Sequence, residues 1–188
     1  MTHSRTYLSE TAEIAKLINP EDLERMVGEL VDLRVRKGRV FVMGLGGSAS
    51  NASHFVNDLR RLCQIEAYCP TDNVSELTAC ANDDGWEKVL IPHFANSNDA
   101  LFILSVGGGT NKVSIPIWEA IDGAASRGMK IFGIVGRDGG RTKFVGNHVI
   151  LIPVVEPLRV TPHTESFQAV VWHCLVSHPD LQKRPTKW

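Results

Sequence analysis

Two glycine-rich segments of this 188-residue chain could bind an anion. The first glycine loop (44–48) and the second glycine loop (105–110) each follow a short apolar run, precede a helical pattern and end in a hydroxyl residue. Glycine lets the backbone approach a phosphate closely, and a helix N-terminus offers unpaired N–H groups. One such loop often serves only as a tight turn. Two loops with hydroxyl residues favour anion binding.

Two histidines and two carboxylates form a second candidate group. His54 and Asp58 are four residues apart, so they share one face of the helix predicted after the first glycine loop. A helix predicted to begin near residue 161 carries Glu165 and His173, which lie about 80° apart around its axis. These four side chains could bind zinc or a similar divalent ion, or divide general acid and base work. The alternative, an exposed His–Asp pair and a partly buried histidine, is less favoured because the first glycine loop lies close to the pair.

The first glycine loop also permits a different interpretation. Residues 44–49 match the pattern G-x-G-x-x-A, and Glu66 lies 22 residues after Gly44. That arrangement resembles a dinucleotide-binding fingerprint with its ribose-binding acid. It explains neither the second glycine loop nor the histidine and carboxylate group. A dinucleotide-binding oxidoreductase is therefore a less favoured hypothesis, which a titration with NAD(P) would test.

Short runs that are apolar on both faces indicate the elements that position these residues. Such runs suit strands buried on both sides of a parallel sheet, and helical patterns fall between them. The alternation predicts an α/β fold with a doubly wound, five-stranded parallel sheet flanked by helices. Both glycine loops would then lie at the carboxyl ends of strands, where open α/β sheets bind ligands. The strands are predicted at 40–43, 101–104, 131–135 and 149–152, with a weaker one at 65–68.

Helices are predicted before the sheet. Asn19 and Pro20 have the residue types of an N-cap and of a first helical position, and Gly38 ends the helix that they start. A shorter helix is predicted between about residues 7 and 18, and the sequence Asn-Asp-Asp-Gly at 82–85 predicts a turn. We expect a single domain with N-terminal helices in residues 1–38, an α/β core in 39–178 and a loosely held polar tail in 179–188.

Composition excludes several classes of function. The 43% hydrophobic and 22% charged content is typical of a globular domain and excludes a disordered one. A net charge of −1 argues against broad electrostatic binding to nucleic acid or to a membrane surface. Four cysteines without a CxxC pair indicate free thiols in a reducing compartment. Because no apolar run approaches the ~20 residues of a membrane span, we expect a soluble, cytoplasmic protein.

The segment GLGGSASNASHF at 44–55 resembles the G-N-G-G-S-A-x-D-A-x-H-F segment of phosphoheptose isomerases, which belong to the SIS (sugar isomerase) superfamily. The similarity continues through 77–83, 128–130 and 136–140, and ends in the helix from Glu165 to His173. The resemblance implies a flavodoxin-like SIS fold in a homotetramer with active sites at subunit interfaces. It also implies conversion of sedoheptulose 7-phosphate into D-glycero-D-manno-heptose 7-phosphate through an enediol, for lipopolysaccharide, capsule or related glycan precursors.

The resemblance also implies a role for each site residue. Asp58 falls on the position of the family's catalytic base and His173 on that of its acid. Zinc, or another divalent metal, would bind His54, Asp58, Glu165 and His173. The phosphorylated sugar would contact both glycine loops, the 82–83 pair and the C-terminal helix, through Leu45, Gly46, Gly47, Ser48, Asn82, Asp83, Ser105, Val106, Gly107, Thr110 and Glu165.

Four departures from the family pattern bear on activity. The family's glutamate base is Asp58 here, its glutamine is Glu165, and the asparagine of its first loop is Leu45. The second glycine loop has two hydroxyls fewer than the family's S-T-S-G-N-S segment. These changes keep open a hypothesis of another class, a non-catalytic SIS protein that binds a sugar phosphate or a protein partner. Stoichiometric zinc would favour the enzyme.

Overall fold

The structure, a computed structural model, describes residues 2–90 and 93–186. This part of the chain forms a five-stranded parallel sheet in the order β2-β1-β3-β4-β5. The order is that of flavodoxin-like folds, and it confirms the predicted doubly wound α/β architecture. The strands are β1 (Val40–Met43), β2 (Ala67–Tyr68), β3 (Ala100–Ser105), β4 (Lys130–Val135) and β5 (His148–Leu151).

Helices alternate with the strands, and two precede the sheet as predicted. Pro20 is the first residue of the second helix, and the side chain of Asn19 accepts a hydrogen bond from the N–H of Glu21. Across the described residues, no helix combines the length and the apolar character that a bilayer crossing requires. The helices are α1 (His3–Leu17), α2 (Pro20–Val35), α3 (Gly47–Arg61), α4 (Val74–Asp83), α5 (Ile115–Ser126), α6 (Gly140–Val145) and α7 (Val160–Val176).

Both faces of the sheet are buried, which explains why its strands are continuously apolar. In β1, Val40 and Val42 pack with α2, α3 and α7, whereas Phe41 and Met43 pack with α5 on the opposite face. Side chains alternate in this way because successive residues of a strand point to opposite faces. The carboxyl ends of the strands remain uncovered by these helices, so loops can form a site there.

The helix predicted to begin near residue 161 is α7, which begins at Val160 directly after a 3₁₀ turn at Pro157–Arg159. Another local prediction near the site is wrong in detail. The segment 82–85 is a turn only in its second half, since Asn82 and Asp83 are the last residues of α4. Gly85 then breaks the helix with a φ of 101°, a value that favours glycine.

Within the described part of the C-terminal tail (179–186), most residues are exposed, but one point is anchored to the domain. Leu181 is fully buried. The guanidinium of Arg34 donates hydrogen bonds to the carbonyls of Asp180 and Leu181, and the N–H of Lys183 donates to the carbonyl of Leu62. The half-buried Arg34 thus ties down a short polar segment whose sequence alone indicates exposure.

Candidate active site

The two glycine loops meet at one cavity at the carboxyl ends of β1 and β3. The cavity has a volume of about 560 Å³. Its walls also include the loop after β4 and the start of α7. This arrangement confirms that the two loops share one place in the fold. The lining residues are Leu45, Ser48, Ser105, Val106, Gly107, Gly109, Thr110, Val113, Ser114, Arg137, Asp138 and Thr161.

Close packing fixes the first glycine loop. A Cβ atom at Gly44 would stand 2.6 Å from the carbonyl of Ser48, so only glycine fits there. Gly46 has a φ of +61° and immediately precedes α3. The loop therefore leads from β1 directly into the first turn of α3, and the almost fully buried Ser48 reaches the cavity wall from that turn.

Both hydroxyls of the second glycine loop make hydrogen bonds to nearby backbone, although that of Ser105 only accepts and can still donate. The hydroxyl of Ser105 accepts from the N–H of Gly108, at 3.0 Å. The hydroxyl of Thr110 accepts from the N–H of Val113 and donates to its carbonyl. In the part of the chain that is described, the N–H of Gly107 donates to no protein acceptor. The hydroxyls thus shape this segment, and Gly107, which lines the cavity, has an N–H that is free to donate to a ligand.

Three of the four predicted metal ligands come together farther along α3. One potential ligand atom from each of His54, Asp58 and His173 lies within 4.8 Å of the other two, and we call these residues the His–Asp–His cluster. Nε2 of His54 is 3.9 Å from Oδ2 of Asp58. The helical spacing of four residues produces this pair, and the packing of α3 on α7 adds His173.

The hydrogen bonds of the His–Asp–His cluster suit a metal ion. Nδ1 of His173 lies 2.8 Å from the carbonyl of Ala169; because that oxygen only accepts, Nδ1 donates the hydrogen bond, which leaves Nε2 as the nitrogen that can bind a metal ion. The amide of Asn57 donates to Oδ1 of Asp58. Ligand atoms of a tetrahedral zinc site with bonds of about 2.0–2.1 Å are about 3.4 Å apart, so the 3.9 Å separation needs only a small contraction. Two imidazoles and one carboxylate form a common catalytic zinc set.

Glu165 does not join this cluster. A Cβ atom at Gly47 would stand 2.6 Å from Oε2 of Glu165, so the carboxylate lies directly against the first residue of α3. Negative charge is favourable there because the helix N-terminus carries partial positive charge. The side-chain amide of Asn51 donates to the Glu165 carbonyl and to Gln168, which ties α3 to this part of α7. A metal-ligating role for Glu165 stays a prediction.

Asn82 and Asp83 lie apart from the cavity and from the His–Asp–His cluster. Both are exposed at the end of α4, where the amide of Asn82 donates to Oδ1 of Asp83 at 2.7 Å. No residue of α4 is fully buried. Contact between these two side chains and a substrate stays a prediction.

Five residues line the cavity although the sequence predicted no site role for them: Val113, Ser114, Arg137, Asp138 and Thr161. Arg137 and Asp138 belong to the resembling segment 136–140, for which no role was assigned. One signal was available, because the loop follows a predicted strand next to the strand that leads into the second glycine loop. The carboxyl ends of neighbouring parallel strands meet at the same edge of a sheet.

An ionic cluster anchors the start of α7 to α1. The carboxylate of Glu10 accepts hydrogen bonds from Arg159, at 2.8 and 2.5 Å, and lies 2.8 Å from Nε2 of His163. These hydrogen bonds, first that of Arg159 and then that of His163, lower the pKa of Glu10 to about 2. His163 is buried and stacks on Tyr7, so it supports the fold beside the site.

Comparison with known proteins identifies relatives of the whole domain. The family model described as the SIS domain matches residues 6–136. The phosphoheptose isomerase of Helicobacter pylori (strain P12) is 30% identical over 163 residues, which cover 82% of this chain and 81% of the relative. That of Shewanella loihica is 28% identical and covers 95% and 90%. A solved phosphoheptose isomerase structure from Francisella tularensis superposes with a TM-score of 0.80 at 22% identity, covering 94% and 97%, and it confirms the fold.

Proposed function

The chain belongs to the SIS domain family, and we propose that it is a sugar-phosphate isomerase that converts sedoheptulose 7-phosphate into D-glycero-D-manno-heptose 7-phosphate. Its relatives from Helicobacter pylori and Shewanella loihica are named phosphoheptose isomerase. One observation carries the proposal: α3 begins at the cavity of the glycine loops and then contributes two residues to the His–Asp–His cluster. A single helix thus joins an anion site to an acid–base site.

The spacing along α3 suits a long phosphorylated sugar. A helix rises about 1.5 Å per residue, so His54 lies about 9 Å along the axis from Ser48. The phosphate of a heptose 7-phosphate is at the far end of its carbon chain from the carbonyl. A substrate whose phosphate lies in the cavity can therefore extend its carbonyl toward the His–Asp–His cluster.

The reaction needs two proton transfers on neighbouring carbons. The carboxylate of Asp58 takes a proton from C1 of the ketose, which forms an enediol, and the proton is then returned to C2 to give the aldose. His173 carries the accompanying proton between the two oxygens through Nε2, a role open to it only while Nε2 does not ligate a metal, because Nδ1 already donates to Ala169. The carbonyl of Ala169 fixes the orientation of its ring.

We propose that His54, Asp58 and His173 hold zinc or another divalent ion, because their donor atoms already converge. When bound, such an ion supplies a Lewis acid for the oxygens on which negative charge develops. Oδ2 of Asp58, 3.9 Å from Nε2 of His54, would bind the ion, so with metal bound Asp58 would accept the C1 proton through Oδ1, the oxygen to which the amide of Asn57 donates. Asp58 is one methylene shorter than glutamate, which makes its placement on α3 critical.

We also propose a cytoplasmic homotetramer in which a second subunit completes the active site. The exposed Asn82 and Asp83 on α4, a helix without a fully buried residue, support a contribution across such an interface. All four cysteines are free, which supports a reducing compartment. The product would enter the synthesis of lipopolysaccharide, capsule or a related glycan.

Product formation tests the proposed function. The zinc-supplemented protein should convert sedoheptulose 7-phosphate into an aldoheptose phosphate that proton NMR detects. Asp58→Asn should lower kcat by about 10²-fold or more, because a general base typically contributes 10²–10⁴. The matched control Asp32→Asn, at an exposed position on α2, should keep full activity. A folded wild-type protein that binds the sugar phosphate without product would instead support the non-catalytic SIS protein.

A further inference from the structure

We propose that Arg137 binds the phosphate of the substrate and supplies the positive charge that the glycine loops lack. The proposal rests on the proposed function, since it names a contact of the same substrate. Among the cavity's lining residues in the described chain, Arg137 is the one with a cationic side chain. Within residues 2–90 and 93–186 its guanidinium makes neither a hydrogen bond nor an ion pair. An exposed, unpartnered cation therefore borders the cavity to which the proposed function assigns the phosphate.

A cation suits the chemistry of the cavity. The Thr110 hydroxyl already donates to the carbonyl of Val113, which leaves the Ser105 hydroxyl, an acceptor from Gly108, as the one of the two that can still donate to an anion. Glu165 places a carboxylate against the first turn of α3, where the partial charge of the helix would otherwise attract an anion. Asp138 adds a second carboxylate to the cavity wall. A phosphate that enters this cavity meets negative charge, which a guanidinium can balance through two parallel hydrogen bonds.

The backbone at Arg137 supports a functional role for its side chain. Arg137 has a φ of +51°, in the left-handed region that glycine tolerates and arginine disfavours. The turn around it is closed by a hydrogen bond from the N–H of Gly139 to the carbonyl of Gly136. Glycine would relieve the conformational cost at this position. Residues in such conformations are enriched at functional sites, but Lys37 and Gln64 have a similar φ, so the position of Arg137 on the cavity wall carries the argument.

The loop that carries Arg137 is held rigidly against the second glycine loop. The N–H of Gly136 donates to the carbonyl of Ser105, and the N–H of Thr142 donates to the carbonyl of Gly108. A Cβ atom at Gly108 would stand 1.9 Å from the carbonyl oxygen of Gly139, so the two loops touch without side chains between them. This contact fixes the base of Arg137 relative to the donors of the second glycine loop.

Three variants of the full chain test the proposal. Arg137→Gly removes the charge and relaxes the backbone, whereas Arg137→Lys keeps the charge and loses the bidentate geometry. Lys112→Ala is the matched control, because Lys112 is an exposed cation near the second glycine loop that does not line the cavity. Calorimetric titrations with sedoheptulose 7-phosphate and with inorganic phosphate measure Kd, and thermal unfolding measures Tm.

We expect Arg137→Gly to raise both Kd values at least about tenfold, equivalent to about 1.4 kcal/mol, while its Tm stays equal to or above that of the wild type. The Kd values of Arg137→Lys should lie between those of the wild type and of Arg137→Gly. Lys112→Ala should change Kd by less than about twofold. The proposal would be overturned if Arg137→Gly bound both ligands as tightly as the wild type does. It would also be overturned if Lys112→Ala weakened binding as much as Arg137→Gly does.

The two ligands distinguish this proposal from the proposed function. If the wild-type protein binds inorganic phosphate through Arg137 but produces no aldoheptose, the role of Arg137 is supported and the isomerase activity is refuted. If the wild type isomerises the sugar and Arg137→Gly has the same Kd and KM as the wild type, the isomerase activity is supported and the role of Arg137 is refuted. If the wild type binds neither compound, both proposals fail.

Discussion

Substituting Gly47 with alanine tests whether Glu165 acts from its position on the first turn of α3. The new methyl group would stand 2.6, 2.7 and 2.8 Å from Oε2, Cδ and Oε1 of Glu165, so the carboxylate must move. It can do so at low cost because it is the end of a flexible side chain. Alanine stabilises a helix by up to about 1 kcal/mol relative to glycine. Loss of the carboxylate at the helix N-terminus costs about 0.3–1 kcal/mol. We therefore expect the free energy of unfolding to change by less than about 1 kcal/mol.

Activity should change far more than stability. A displacement of about 1 Å at an active site can cost up to 10²-fold in rate, so we expect kcat/KM of Gly47→Ala to fall at least about tenfold. A double-mutant cycle with Glu165→Ala identifies the cause, because Gly47→Ala should have little further effect once the carboxylate is absent. Gly28→Ala is the matched control, since a Cβ at Gly28 has no neighbour within 4 Å.

Two results of this cycle would refute the reasoning. Full kcat/KM in Gly47→Ala would show that the position of the Glu165 carboxylate does not matter. Equal losses with and without the carboxylate would show that the alanine methyl group obstructs the substrate directly. Steady-state kinetics on the four proteins of the cycle, with thermal unfolding of each, distinguish these outcomes from the expected one.

Three further predictions concern the metal, pH and the tail. His54→Ala should lose stoichiometric zinc after dialysis, measured by mass spectrometry, whereas the exposed control His93→Ala should keep it. Because the pKa of Glu10 is lowered from 4.5 to about 2, its ion pairs stabilise the fold above pH 4.5 and lose this effect as pH falls toward 2. The free energy of unfolding of Glu10→Gln, measured with urea, should therefore be lower than that of the wild type at pH 7 and approach the wild-type value near pH 2. Leu181→Ala should lower the free energy of unfolding by about 2 kcal/mol or more; an unchanged value would mean that the tail is not packed in solution.

The sheet could be predicted from the sequence because its strands are buried on both faces. Runs such as 40–43 are apolar at every position, and few other elements produce that pattern. The pair His54 and Asp58 could be predicted for a similar reason, since a spacing of four residues fixes two side chains on one helix face. Local periodicity was sufficient in both cases.

Features that depend on tertiary contacts could not be predicted in this way. The carboxylate of Glu165 lies on Gly47 because of how α7 packs across the start of α3, which periodicity does not encode. The tail is ordered by donors from the distant Arg34. Arg137 resembles any polar loop residue in the sequence, and its significance arises from the cavity that three loops enclose.

Exchange of carbon-bound hydrogen with solvent is the most direct test of the central claim, that the His–Asp–His cluster carries out enediol chemistry. Proton NMR would follow sedoheptulose 7-phosphate with the zinc-supplemented protein in deuterium oxide. We predict deuterium at the carbon next to the carbonyl, accompanied by an aldoheptose signal, and loss of both with Asp58→Asn. The account would be contradicted if the folded protein bound the sugar phosphate without exchange, or if Asp58→Asn exchanged as fast as the wild type.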